Sequence, residues 1–426
     1  MGVNPTALRA LRKANAAVAR RYPGEPGTRQ PVHTVYGGAH LFRADSSRKL
    51  GDIARASLKD HAPDATTLAR VLGIDAQLAE PVYARVLDKL QREPVEDFRL
   101  DFEDGYGNRP DAEEDGHAES AAREVATGLH NNSLPAFIGI RIKPMSPELH
   151  GRSLRTLDVF VTTLAAATKR RLPPNFFITI PKLMTPAHVA TVARACDALE
   201  RKLRLGRGVL KLELMIETPQ SIIDAEGSSA LIPLVKAGGG RVAGAHFGTY
   251  DYTALASITA AWQHMRHPVC DFAKHMMQVA LAQSGVRLSD GATNIMPIGN
   301  RETVHRAWKQ HFDDVTHSLV GGFYQGWDLH PAQLPTRYAA VFAFFLASRQ
   351  AATARLRNFV ERAAQATLVG DVFDDAATGQ GLLNYFLRGL NSGALTLDEA
   401  RETGLTMEEI QTRSFLAILE GRKGRQ

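Results

Sequence analysis

The sequence predicts an α/β fold: a (β/α)8 barrel with an N-terminal arm and a C-terminal helical extension. Three observations predict it. Short apolar runs alternate with helix-like stretches eight times over roughly 300 residues, the rhythm of a closed barrel rather than an open sheet. The clearest run, Lys211 to Gln220 (KLELMIETPQ), is too continuous for a half-exposed strand, and Pro219 breaks it too soon for a helix. It reads as a strand buried on both faces. No G-x-G-x-x-G or P-loop follows any run, which removes the usual nucleotide-binding sheets.

Composition sets the outer bounds. A chain of 426 residues, 44% apolar and 23% charged, can bury one large core with a smaller appendage. Its two cysteines, Cys196 and Cys270, fall in helix-like segments and cannot form a disulfide framework. The N-terminus is polar and basic, and no run approaches the length of a membrane span, so a cytoplasmic protein with no membrane partner is expected. The net charge of +6 is spread over scattered residues, with no arginine-rich block interleaved with aromatics. Nucleic-acid binding is not expected.

In chain order, residues 1–31 form the arm: a basic helix over Ala7 to Arg21, then a Pro/Gly linker. The barrel is expected over 32–336. Its first strand lies in Val32 to Arg43 with a Gly-Gly irregularity, and helices follow from Ser47 and over roughly Pro81 to Gln91. Phe98 to Phe102, Ala136 to Ile142, Phe176 to Ile180 and the run ending at Glu217 are strands two to five. A helix around Gly151 to Thr168 separates the third strand from the fourth. The sixth lies over Arg241 to Ala245, a poor seventh over Val286 to Ser289, and the eighth over Gly326 to Leu329; helices over Pro268 to Ser284 and Glu302 to Asp313 flank the seventh. Residues 337–426 are the extension, led by a long helix over Arg337 to Arg362 and showing no strand alternation. Asp374 and Asp375 in it read as lid acids or solvated turn residues.

Polar residues collect where these strands end. Asp101, Glu103, Asp104, Arg141, Lys182, Glu217, Asp251 and His330 stand at or just after the C-terminal ends of different strands, and in a barrel those ends converge on one mouth. Taken alone, the acids after the second strand read equally as a solvated turn before a helix. Together the set predicts an active site. Hard oxygen ligands without paired cysteines or H-x-x-x-H spacing suit Mg2+ or Mn2+, with Glu217 and Asp251 as the metal carboxylates. Arg141 would clamp a substrate carboxylate or support a developing enolate. Lys182 adds positive potential, with Asp104 as a further catalytic acid and Glu103 and His330 on the substrate side. Such a site makes or breaks a carbon–carbon bond beside a carbonyl through a metal-stabilised enolate. Phosphoenolpyruvate-type phosphoryl transfer, or a barrel that binds a ligand without catalysis, are the alternatives. His246, Tyr250 and Tyr252 read as packed core groups.

The motifs resemble those of a known family. DFEDG (Asp101 to Gly105) is similar to a D-L-E-D segment, RIKP (Arg141 to Pro144) to R-I-N-P, and Pro181–Lys182 to P-K. IET (Ile216 to Thr218), FGTYD (Phe247 to Asp251), Asp290–Gly291 and HPAQ (His330 to Gln333) resemble I-E-T, F-G-x-x-D, D-G and H-P-S-Q, all in the same order. The set resembles the citrate lyase β-subunit and malyl-CoA lyase branch of the HpcH/HpaI aldolase superfamily, of which this chain would be a divergent member. The resemblance implies a barrel lyase with Mg2+ on Glu217 and Asp251, a substrate arginine at Arg141, and trimers or hexamers in which a C-terminal segment covers a neighbour's site. The chain departs from the family pattern at Leu41 to Asp45, at Met184, and in lacking a D-G-x-x-I-D lid segment. The substrate is therefore either a small 2-oxo or hydroxy acid or its CoA thioester.

Overall fold

A computed structural model of the protein describes residues 4–24, 28–361, 367–369, 372–374 and 376–423. Eight strands form one parallel sheet: β1 (His33–Gly38), β2 (Asp97–Asp101), β3 (Phe137–Arg141), β4 (Phe176–Ile180), β5 (Lys211–Ile216), β6 (Val242–Phe247), β7 (Arg287–Ser289) and β8 (Gly326–Asp328). Their order is β7-β6-β5-β4-β3-β2-β1-β8, so every chain neighbour from β1 to β7 is also a sheet neighbour, and β8 returns to pair with β1. With a helical connection behind each strand, this is the (β/α)8 barrel. β2, β3 and β4 are buried along their whole lengths, as strands covered on both faces must be.

The chain divides into two compact units. The first holds Met1–Thr28, Tyr36–Ser46 and Asp97–Ala292. Within it, alternate residues of each strand point to opposite faces. Phe98, Leu100, Leu212, Leu214 and Ile216 bury one face, while the other carries Asp97, Arg99, Asp101, Glu213 and His246. β2 pairs with β3, yet Arg99 reaches Thr179 on β4 at 3.1 Å and Glu213 on β5 at 2.5 Å, so these side chains meet across the barrel interior. Arg99 also pairs with Asp97, and His246 lies 3.4 Å from Glu213. The arm helix, Pro5–Arg21, has no buried residue.

The second unit holds Arg29–Val35, Ser47–Glu96 and Thr293–Gln426. Asp328 at the end of β8 anchors it, accepting hydrogen bonds from Arg337 at 2.9 to 3.2 Å and lying 3.0 Å from His311 Nε2 and 2.8 Å from His33 Nδ1.

Several expectations are corrected. A helix over Ala65–Leu72 was not anticipated, although Asp64 caps its start and Gly73, at φ +74°, ends it in the left-handed conformation. The long C-terminal helix begins at Leu334, ahead of the expected Arg337, because Pro335 lies in the first turn, where a missing N–H costs nothing. Residue 336, where the barrel was expected to end, lies in the first turn of this helix. The helix expected over Glu302 to Asp313 runs on to Val320. The extension is not free of strands: Thr367–Val369 and Val372–Asp374 form an antiparallel pair. Asp375 and the side chain of Asp374 lie outside the described residues. Both cysteines are buried and unpaired. Among the described residues no helix is long and apolar enough to cross a membrane.

Candidate active site

In the first unit, β2 to β6 deliver one charged side chain after another to the same end. β2 ends on Asp101, fixed as an acceptor. Its two oxygens take the main-chain N–H groups of Glu103 (3.0 Å) and Gly105 (2.7 Å) together with Nε and Nη2 of Arg141 (2.7 and 2.5 Å). This fork-to-fork pairing sets the plane of the guanidinium. A side chain at position 105 would put its Cβ 2.7 Å from Asp101 Oδ2, so the DFEDG turn needs glycine there. Arg141, on β3, keeps only Nη1 for other partners, 2.9 Å from Glu103 Oε2 and 3.7 Å from Asp104 Oδ2. Its guanidinium lies 4.9 Å from the centre of the Tyr36 ring, and Met215 Sδ is 3.8 Å from Nη1. Burial pushes the Asp101 carboxyl up, but Arg141 and the two N–H donors outweigh it and hold it below the usual range.

Lys182 follows β4 with φ +50°, in the left-handed region that residues other than glycine enter uncommonly. Its main-chain N–H donates to Glu217 Oε1 at 2.7 Å, and its ammonium turns to the acids of the β2 turn. It pairs with Glu103 and lies 3.4 Å from both oxygens of Asp104 and from Asp251 Oδ2. Burial works against its charge, yet the fields of Glu103 and Glu217 raise its pKa above the ordinary lysine value.

Glu217, after β5, is 1% exposed. Thr218 caps the short helix Pro219–Ile222 that follows, which fixes the turn in which Glu217 stands. Burial, then the neighbouring charges of Asp251 and Glu103, push the Glu217 carboxyl up to about 8, with Lys182 and Arg141 opposing. Asp251 comes from the first turn of the helix Thr249–Leu255 after β6 and is part-exposed. Gly248 lets the two loops close up, since a Cβ there would lie 2.5 Å from Glu217 Oε2. Burial also raises the Glu103 carboxyl, despite Arg141 and Lys182.

Five carboxylates, Asp101, Glu103, Asp104, Glu217 and Asp251, thus face two cations, Arg141 and Lys182. Asp101 takes up two of the guanidinium's donors, and Glu103 Oε2 is buried without a hydrogen bond of good geometry. An arrangement short of positive charge around oxygen donors fits a hard divalent cation. Among the described residues no group of three or more His, Cys, Asp or Glu forms a metal cage, which is compatible with Mg2+ taking one or two protein carboxylates and filling its other positions with water and substrate.

Seven of the eight expected residues are therefore brought together within this unit. His330 belongs to the second unit, where it has a structural task. Its Nδ1 accepts from Ala332 N–H at 3.1 Å, and Gln333 Oε1 accepts from the N–H groups of Leu329 and His330. HPAQ is thus a capping box for the turn Pro331–Gln333. Asp290 of the DG motif is buried and paired with Lys274 at 3.0 Å. His246 and Tyr252 are buried, and Tyr250 donates to Ala292 O, as packed groups do. Tyr36, Met215 and the layer of Arg99, Asp97 and Glu213 were not anticipated. Their signal was the i, i+2 spacing of Arg99 with Asp101 and of Glu213 with Met215 and Glu217 on strands read as uniformly apolar.

The model of a domain of unknown function, DUF6986, matches residues 11–418, so the chain belongs to that family. No curated protein matches the sequence. Among solved structures, a citrate lyase from Burkholderia xenovorans LB400 is similar with a TM-score of 0.60 at 17% identity, covering 89% of this chain and 100% of that one. A malate synthase from Haloferax volcanii, solved as a magnesium/glyoxylate complex, has a TM-score of 0.47 at 14% identity, over 91% of this chain and 96% of that one. At these identities the likeness to the citrate lyase speaks for the fold alone.

Proposed function

We propose that this member of the DUF6986 family is a Mg2+-dependent carbon–carbon lyase or aldolase of the citrate lyase β-subunit-like branch, acting on a small 2-oxo or hydroxy acid or its CoA thioester. One observation carries the reading: Glu217, buried and pushed up to about 8, stands beside Asp251 at a barrel end where carboxylates outnumber cations. The ordered motifs and the barrel shared with a citrate lyase support it. Glu217 and Asp251 would hold the metal, which when bound supplies Lewis-acid stabilisation of negative charge on a carbonyl oxygen.

The chain's own groups do the rest. Asp101 holds the Arg141 guanidinium in place over the Tyr36 ring, leaving Nη1 as the donor that can exchange Glu103 for an incoming carboxylate. Lys182 adds a second cation at the same place, and Asp104, the most exposed of the acids, stands where it can meet solvent and substrate. Burial of Glu103 and Glu217 keeps water away from the inner side. Homo-oligomeric assembly, implied by the motif resemblance, belongs to the same reading.

The test is exchange of the pyruvate methyl protons in D2O, followed by NMR, with and without Mg2+, for the wild type and for Glu217→Gln. Exchange that needs both the metal and Glu217 is the expected result. Exchange that survives loss of either would refute the metal-assisted site, and none in any sample would exclude free pyruvate as the enolised acid.

A further inference from the structure

Lys182 stands where a bound cation would have to act. Its Nζ contacts Glu103, lies 3.4 Å from Asp104 and Asp251, and belongs to the residue whose main-chain N–H is tied to Glu217. An ammonium offers one charge and three donors, and it is here spread over three carboxylates from two different strand ends, Glu103 and Asp104 after β2 and Asp251 after β6. The backbone is committed to this arrangement as well. The left-handed φ of +50° lets one residue present its N–H to Glu217 and its side chain to the acids opposite. A second cation on Asp251 would sit at contact distance from this ammonium and repel it.

We propose that Lys182 is a tethered competitor for the divalent-cation position: its ammonium compensates the acid cluster in the metal-free protein and leaves Asp251 when Mg2+ or Mn2+ binds. The proposal rests on the metal reading above. It assigns Lys182 a positioning role with two consequences. Metal affinity is held down by the lysine, and metal entry frees an ammonium beside the part-exposed Asp104 for the anionic end of the substrate. Metal and acid then bind with positive coupling, the metal first.

Mn2+ binding followed by electron paramagnetic resonance tests this on the wild type, Lys182→Met and Lys182→Arg. Methionine keeps the length and removes the charge, so Lys182→Met should bind Mn2+ at least about tenfold more tightly, whereas Lys182→Arg should bind no more tightly than the wild type. Equal or weaker binding by Lys182→Met overturns the proposal, because the lysine would then be helping to hold the metal. A second measurement needs no variant: Mg2+ should speed reductive methylation of Lys182, read by mass spectrometry, by several-fold. An unchanged or slower rate overturns the proposal. If no protein binds Mn2+, the metal reading itself fails and the competitor falls with it. If the wild type binds and Lys182→Met binds no better, only the competitor fails.

Discussion

Among the buried carboxylates of this molecule, Asp328 in the second unit and Glu217 in the first show opposite outcomes of burial. Asp328 is surrounded by donors: Arg337 on one side, His311 and His33 on the others. Burial pushes its carboxyl up, but Arg337 and the two histidines hold it well below the ordinary aspartate value. Glu217 is as deeply buried, yet it takes one main-chain N–H and faces Asp251 and Glu103, and its carboxyl is pushed up to about 8. The first carboxylate holds a fold together; the second is left in want of a cation. Burial alone therefore says little about a buried acid, and its donors decide whether it stabilises the structure or waits for a ligand.

The contrast can be broken in order of expected size. Removing the satisfied acid should cost most. Asp328→Ala strands Arg337 in the core and should lower the free energy of unfolding by about 3 to 5 kcal/mol, measured by urea denaturation. A loss under about 1 kcal/mol would show that the cluster is not holding the second unit. Removing the unsatisfied acid should do the reverse. A carboxyl raised from 4.5 to about 8 keeps its proton in the folded state over a range where the unfolded chain has lost it, so metal-free stability should fall as pH rises from about 5 to 8. Glu217→Gln should flatten that fall and leave the protein more stable at pH 8 by about 1 to 3 kcal/mol, a sign that thermal melts across the pH range would check. Mg2+ should raise the melting temperature of the wild type more at pH 8 than at pH 6, and should not do so for the variant. The smallest change is at the capping box. His330→Ala should cost about 1 kcal/mol and leave Mn2+ affinity unaltered, and a lost affinity would move His330 from capping to the site.

Much of this was legible before any coordinates. FFITI is strand β4 to the residue, and Arg141, Lys182, Glu217 and Asp251 were marked by their positions at the ends of apolar runs. What escaped has physical causes. Arg99 and Glu213 sit mid-strand, where the i, i+2 spacing could mark the face each shares with Asp101 or Glu217, but not that the two pair across the barrel interior. The pairing of Arg141 with Asp101 depends on two neighbouring strands ending level, a matter of register that no single strand encodes. HPAQ matched a family motif in letters, and the bonds its side chains make within the second unit are to the backbone turn. The long helix was expected from Arg337, although a proline such as Pro335 is at home in a first turn and the helix begins at Leu334.

Gly105 and Gly248 carry a consequence for how this family changes over time. Neither has a side chain to offer a substrate, yet only glycine, which has no Cβ, avoids striking the acid behind it, Asp101 in one case and Glu217 in the other. A lineage that drifts in substrate preference can exchange Asp104 or the tip of Lys182 by single codon steps. It cannot add even one carbon at 105 or 248 without moving the carboxylates themselves, so inheritance at those two positions follows the shape of the pocket and not the identity of what enters it.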